Sequence, residues 1–123
     1  MALPINHPLH EVEVLGALTN VSSSSVVSLH APFTGRIVKL GAIIGSTAAT
    51  GDATLTTNIN GTAITGGVIT VVQTASTVGQ VFTATPTALN VVKEDDSIGV
   101  VVTGSATLGG PCIVFAKIRQ GTN

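Results

Sequence analysis

Short apolar runs separated by turn residues follow one another along most of this chain, and each run is rich in Val, Ile and Thr. These β-branched residues pack well on pleated sheets and lose rotamer freedom in helices. No helical periodicity of useful length interrupts the pattern. It predicts strands at 26–29, 36–44, 53–60, 62–64, 68–72, 78–83, 97–103 and 112–119.

The run at 53–60 carries the clearest strand pattern. Its residues alternate between two sets, which places Leu55, Thr57 and Ile59 on one face and Thr54, Thr56 and Asn58 on the other. A period of two is typical of a strand with one face buried.

Glycine-containing pairs mark the predicted turns. Asn60-Gly61 is the strongest of them, because both residues accept the positive φ angles of a type I′ hairpin turn. Gly66-Gly67 is expected to end the returning strand, so that Val68 begins another. Asn60, Gly61, Gly66 and Gly67 are therefore the expected structural turn residues.

Residues 1–24 differ in composition from the rest. Pro4 and Pro8 block regular structure, and a serine run occupies 22–25. Between them, residues 10–15 alternate polar and apolar for long enough to make one short strand. We expect an extended N-terminal arm at 1–24, which adds its strand to a neighbouring molecule or lies on a partner surface, and a β-domain at 25–123. A frayed terminus is the alternative.

At 123 residues the chain has the usual length of one domain. Eight or nine predicted strands at this spacing are typical of a single all-β, antiparallel β-sandwich or jelly roll.

Charge is scarce: only 9% of residues are charged, against about 25% in an average soluble protein. The formal net charge of −1 gives no reason to expect a nucleic-acid partner, and no apolar run approaches the about 20 residues of a membrane span. The N-terminus also lacks the basic start and apolar run of a secretory signal, so synthesis in a cytoplasm is expected. A surface this poor in charge favours burial against other protein.

Few residues offer chemistry. His7, His10 and His30 follow no known metal-ligand spacing, and the acidic run 94–96 lacks the alternate spacing of a calcium loop. Cys112 is the single cysteine and lies in an apolar strand, where a thiol packs as a small hydrophobe. We therefore expect no enzyme activity, no catalytic residue, no metal and no cofactor.

Several segments together resemble a family of small bacteriophage head proteins, the capsid decoration or cement proteins. The resemblance extends over about residues 30 to 119 and implies a β-rich, non-enzymatic domain on the outer capsid surface, often trimeric or dimeric. It continues through 93–97, Thr103-Gly104 and a last strand ending at Ile118-Arg119. The segments that carry most of it are Ala31-Pro32-Phe33-Thr34-Gly35-Arg36-Ile37, Asp52-Ala53-Thr54-Leu55, Ile59-Asn60-Gly61-Thr62-Ala63-Ile64-Thr65-Gly66-Gly67 and Thr85-Pro86-Thr87-Ala88-Leu89-Asn90.

The expected function is therefore mechanical: a decoration protein of the virion that binds the outer surface of a phage head and stabilises the major-capsid lattice. Its expected partners are the major capsid protein and further copies of itself, as a trimer or alternatively a dimer. A tail-fibre or receptor-binding module that recognises a host surface is the alternative. The residues expected to contact the capsid or a neighbour are Val12, Val14, Leu15 and Phe33.

Overall fold

The computed structural model describes residues 11–18, 26–45, 52–72, 77–103 and 111–120. Within these ranges the protein is all-β, and no helix is long and apolar enough to span a membrane. The strands are β1 (Glu11–Leu18), β2 (Val26–His30), β3 (Gly35–Ile44), β4 (Ala53–Ile59), β5 (Thr62–Val71), β6 (Val81–Ala84), β7 (Val91–Val92), β8 (Ser97–Thr103) and β9 (Cys112–Gln120).

Two antiparallel sheets form a sandwich. Sheet A has the order β1-β9-β3-β6, with the short β7 also paired to β3, and sheet B has the order β2-β8-β4-β5. Most strands that follow one another in sequence, such as β1 and β2 or β8 and β9, lie in opposite sheets, whereas β4 and β5 form a hairpin within sheet B. This is jelly-roll connectivity, and it confirms the predicted fold class.

The core lies between the two sheets and consists almost entirely of aliphatic side chains. In β4 every second residue is buried, so Leu55, Thr57 and Ile59 share one face as predicted, and that face points inward. The largest fully buried side chains are Ile37, Leu40, Ile44, Leu55, Ile69, Ile98, Ile118, Val71, Val92, Val100 and Val102.

The β4–β5 connection is a two-residue turn with positive φ at Asn60 (50°) and Gly61 (90°), as a type I′ turn requires. Gly66 also has a positive φ of 78°, but Gly66 and Gly67 do not end the strand as expected. β5 continues through them with a shifted register. At this irregularity the buried hydroxyl of Thr57 donates a 2.6 Å hydrogen bond to the carbonyl of Gly67.

The segment expected to add a strand to a neighbouring molecule has a partner in its own chain. β1 pairs with β9 through all eight of its residues, from Glu11↔Arg119 to Leu18↔Cys112. This pairing satisfies one row of backbone groups, and Leu18 becomes buried in the core. Glu11–Leu18 is therefore an edge strand of the sandwich, and the rest of the expected arm, 1–10 and 19–24, lies outside the described residues.

Candidate functional site

The outer face of sheet A, which points away from the core, has an apolar end. One row of directly opposed residues crosses four strands there: Ala17 on β1, Ile113 on β9, Ile43 on β3 and Val81 on β6. Ile113 is 45% exposed and Val81 is 46% exposed. Four apolar side chains in one row therefore meet solvent.

The next row contains Leu15, Phe115, Gly41 and Thr83. Phe115 lies inside an apolar strand, but it is outside the core cluster and shares the outer face with Ile113. Its ring lies over Gly41, where an added Cβ would come within 2.1 Å of its Cζ atom. The absence of a side chain at Gly41 leaves room for the ring, which is only 8% exposed.

These two rows form a continuous surface, which we call the apolar patch: Leu15, Ala17, Ile43, Val81, Ile113 and Phe115. Shallow depressions flank Ile113 on both sides. One, of about 230 Å³, lies beside Leu15, and the other, of about 150 Å³, lies between Ile43 and Pro111. The patch therefore has relief that another protein surface can fill.

The opposite end of the same face is charged. Its two rows, which we call the charged rungs, each cross β1, β9 and β3: one contains Glu13, Lys117 and Lys39, and the other contains Glu11, Arg119 and Arg36. The Glu11 carboxylate accepts hydrogen bonds from Nε (2.8 Å) and Nη2 (2.7 Å) of Arg119. The face thus combines an apolar end with a charged end.

The expected contact residues are divided between the two sides of sheet A. Leu15 is 63% exposed and belongs to the apolar patch. Val14 packs against the core, and Val12 lies on the same side of the strand, two positions away. Phe33 also packs against the core, from the segment before β3. Of the four, only Leu15 is part of the outer face.

Sequence reasoning missed the rest of this face, although β9 contained a clue to it. Along that strand Ile113, Phe115, Lys117 and Arg119 alternate with the buried Cys112, Val114, Ala116 and Ile118. The second set is uniformly small or aliphatic, whereas the first changes from apolar to basic. This period of two identifies an outward face with two kinds of surface.

Among the described residues, the groups with reactive side chains do not form a catalytic or metal-binding cluster. No group of three or more His, Cys, Asp or Glu side chains there has the geometry to hold a metal ion. Cys112 is buried, and desolvation raises the pKa of its thiol to about 11, which keeps the thiol protonated at neutral pH. His7 and His10 lie outside the described residues, and His30 is exposed, with Nε2 2.7 Å from a carboxylate oxygen of Asp95.

The acidic run 94–96 forms a turn that is tied to the β4–β5 hairpin. Asp96 accepts hydrogen bonds from the backbone N–H of Lys93 (2.8 Å) and from the side-chain amide of Asn60 (3.0 Å). These bonds, the Lys93 backbone bond first, lower the pKa of the Asp96 carboxyl. Both Asp96 oxygens are therefore engaged in holding two turns together, a structural role.

A second exposed apolar site lies around Leu89, away from the apolar patch. Leu89 is 63% exposed and has a φ of 55°, a conformation that is strained for a branched side chain. Asn90 fixes it from one side, since its backbone carbonyl and its side-chain amide both hydrogen-bond to the backbone of Ile37. Leu89, Val91, Ile59 and Thr62 line a shallow depression there.

The chain matches no protein-family model and no curated protein. Among solved structures it is similar to the carbohydrate-binding module CsCBM6-3 from Clostridium stercorarium, determined in complex with cellobiose. The TM-score is 0.51 at 18% sequence identity, over 94% of this chain and 84% of that one. At this identity the likeness concerns the β-sandwich fold, and a fold of this kind hosts many functions.

Proposed function

We propose that this protein is a structural capsid decoration protein, which binds the outer surface of a bacteriophage head and stabilises the major-capsid lattice. The proposed role is mechanical: the protein stabilises the shell by burying surface between subunits, and this role requires no catalysis. The proposal rests on the resemblance of residues 30 to 119 to the decoration family and on the character of the outer face of sheet A.

The observation that carries the proposal is the apolar patch. Soluble monomers rarely leave large contiguous apolar surfaces in water, and patches bordered by polar residues mark interaction sites. Here the patch crosses four strands, is anchored by Phe115 and is bordered by the charged rungs. Buried apolar area contributes about 25 cal/mol per Å², and a lattice repeats the contact at every copy.

Self-association is part of the same proposal, with a homotrimer favoured over a dimer. The low charge and the exposed apolar side chains both favour contacts between copies. Light scattering on the purified protein tests this directly. A trimer is expected, and a stable monomer of 12.3 kDa at micromolar concentration would contradict it.

The alternative is a receptor-binding module that recognises a host surface, and the likeness to a carbohydrate-binding module gives it some support. Sugar sites commonly stack a sugar ring on an open aromatic face. This chain has no Trp or Tyr, Phe33 and Phe82 pack against the core, and Phe115 is 8% exposed. The aromatic side chains therefore favour protein contact over sugar stacking.

A matched pair of substitutions tests the proposal. Val81 and Val68 both lie on edge strands, with 46% and 47% exposure, but Val81 belongs to the apolar patch and Val68 faces outward on sheet B. Val81→Asp places a charge in the patch, whereas Val68→Asp places the same charge on the other sheet. Binding to phage heads that lack decoration is measured by co-sedimentation over a range of protein concentrations.

We expect Val81→Asp to weaken binding at least tenfold, about 1.4 kcal/mol, while Val68→Asp binds like the unmodified chain. Thermal unfolding of both variants shows whether either has lost its fold. Equal binding by all three proteins would remove the apolar patch from the contact. Absence of binding by the unmodified chain, together with retention on a glycan array, would favour the receptor-binding alternative.

A further inference from the structure

Four of the five cationic side chains of the chain lie together at one end of sheet A. They are Arg36 and Lys39 on β3 and Lys117 and Arg119 on β9, while the fifth, Lys93, lies in the turn before β8. About 80 residues of sequence separate the two pairs, so the net charge of −1 conceals the cluster. It is the densest concentration of positive charge among the described residues.

Like charges face one another directly within this cluster. Lys39 is the cross-strand partner of Lys117, and Arg36 is the cross-strand partner of Arg119. Side chains in such pairs have Cβ atoms about 4.5–5.5 Å apart, and like charges at that distance destabilise a sheet. Two repulsive pairs on neighbouring rungs are an arrangement that folding alone does not favour.

Strand β1 neutralises only part of the cluster. It places one carboxylate on each rung, where Glu11 binds Arg119 and Glu13 lies opposite Lys117. From β1 to β3, each rung therefore contains one acidic side chain followed by two basic side chains. Among the described residues, neither Lys39 nor Lys117 takes part in a salt bridge, so the rung that contains them keeps an excess of positive charge.

We infer that the rung of Lys117 and Lys39 is a binding site for the carboxylate groups of an acidic protein segment, which supplies the negative charge that this rung lacks. This inference rests on the proposed function and adds to it: the capsid surface beneath the protein presents Asp or Glu side chains opposite Lys39 and Lys117. Burial of the apolar patch gives the contact its area, and the rungs give it orientation.

A protein segment fits this site better than a nucleic acid does. Glu11 and Glu13 flank the cations and repel a continuous phosphate backbone, whereas isolated carboxylates can approach from the β3 side. The adjoining apolar patch also matches the mixed apolar and polar character of protein interfaces.

Titration with a hexaglutamate peptide, followed by amide chemical shifts, tests the site without any capsid. The test variant is Lys39→Gln with Lys117→Gln, and the control is Lys93→Gln, which removes a cation elsewhere. We expect shifts centred on 36–40 and 116–119 that shrink in 500 mM salt and disappear in the double variant only. No shift there, or tighter binding of hexathymidylate than of hexaglutamate, would overturn the inference.

Thermal unfolding of the same variants distinguishes a binding role of the lysines from a purely structural role, because the two roles predict opposite shifts of the unfolding midpoint. Because Lys39→Gln relieves a like-charge pair, we expect it to raise the midpoint of thermal unfolding at low salt, with the gain shrinking at high salt. A lower midpoint would show that the two lysines stabilise the fold and would contradict a cluster kept for binding.

Co-sedimentation with undecorated heads separates this inference from the proposed function. We expect the double lysine variant to bind at least tenfold more weakly than Lys93→Gln, with a smaller loss of affinity between 50 and 300 mM salt. Head binding that is unaffected in the double variant overturns the inference and leaves the proposed function standing. If the unmodified chain binds hexaglutamate but does not bind heads, the carboxylate-binding site stands and the proposed function is overturned.

Discussion

The contact between Phe115 and Gly41 offers the sharpest test of how the outer face is built. A Cβ at position 41 would lie 2.1 Å from Cζ of the Phe115 ring and 2.5 Å from Cε2, so Gly41→Ala must displace the ring from the sheet. The backbone itself does not resist the change, since an ordinary strand conformation accepts alanine. The whole penalty therefore comes from the aromatic side chain.

The structure sets the size of that penalty. An aromatic side chain buries about 150–250 Å², and Phe115 is only 8% exposed. At about 25 cal/mol per Å², reduced by about 10–40% for burial in the unfolded chain, the ring contributes about 3–4 kcal/mol. We expect Phe115→Ala to cost about 3 kcal/mol and Gly41→Ala, which expels much of the ring, about 2 kcal/mol.

A double-mutant cycle isolates the contact. Once Phe115 is alanine, Gly41→Ala meets no ring, and it gains about 0.5–1 kcal/mol because glycine is entropically costly in a strand. The expected coupling between the two sites is therefore at least about 2 kcal/mol. Urea unfolding followed by far-UV circular dichroism measures it, since the chain has no Trp or Tyr for fluorescence. Single-variant effects that add to within about 0.5 kcal/mol would refute the placement of the ring over Gly41.

Three further predictions concern the turn, the thiol and the buried hydroxyl. Gly61→Val should lose about 1–3 kcal/mol of unfolding free energy, because the φ angle of +90° strains a β-branched residue even though the space around position 61 is open. Gly61→Asn should lose less, and equal stabilities of the two variants would contradict the turn type. Because the pKa of Cys112 is raised to about 11 from 9.0, the folded state holds the proton more tightly than the unfolded state does, so stability should fall as pH rises from 9 to 11. Cys112→Ala should lack that part of the fall in urea titrations at each pH. Thr57→Val should cost about 1–3 kcal/mol by leaving the carbonyl of Gly67 without its buried partner, while Thr57→Ser, which keeps the hydroxyl, should cost less in thermal unfolding.

Much of the fold could be predicted because local patterns agree with the tertiary structure. The alternation in β4 placed Leu55, Thr57 and Ile59 on one face, and the structure buries that face. The Asn60-Gly61 pair fixed the turn type, since few other residues accept two positive φ angles. The continuation of β5 through Gly66-Gly67 was not predictable in this way, because it involves a register shift against β4 and a hydrogen bond from Thr57 on that strand.

The candidate site was largely hidden from sequence reasoning because its residues come from strands far apart in the chain. Leu15, Ile43 and Ile113 become neighbours only when β1, β9 and β3 pair, and jelly-roll connectivity sets that order. The composition likewise gives a net charge near zero, whereas the pairing of β3 with β9 brings four cationic side chains together on one face. The partner of β1 was missed for the same reason, since a short alternating segment does not specify which edge it joins.

An image reconstruction of the intact phage particle shows whether this protein lies on the head and which of its faces is covered. On the proposed function, we expect many copies on the outer surface of the head, each with the β1-β9-β3-β6 face turned toward the major capsid protein. Within that contact, Ile113 and Val81 should be covered, and capsid carboxylates should lie near Lys39 and Lys117. A few copies at the tail, or copies on the head with this face open to solvent, would contradict it.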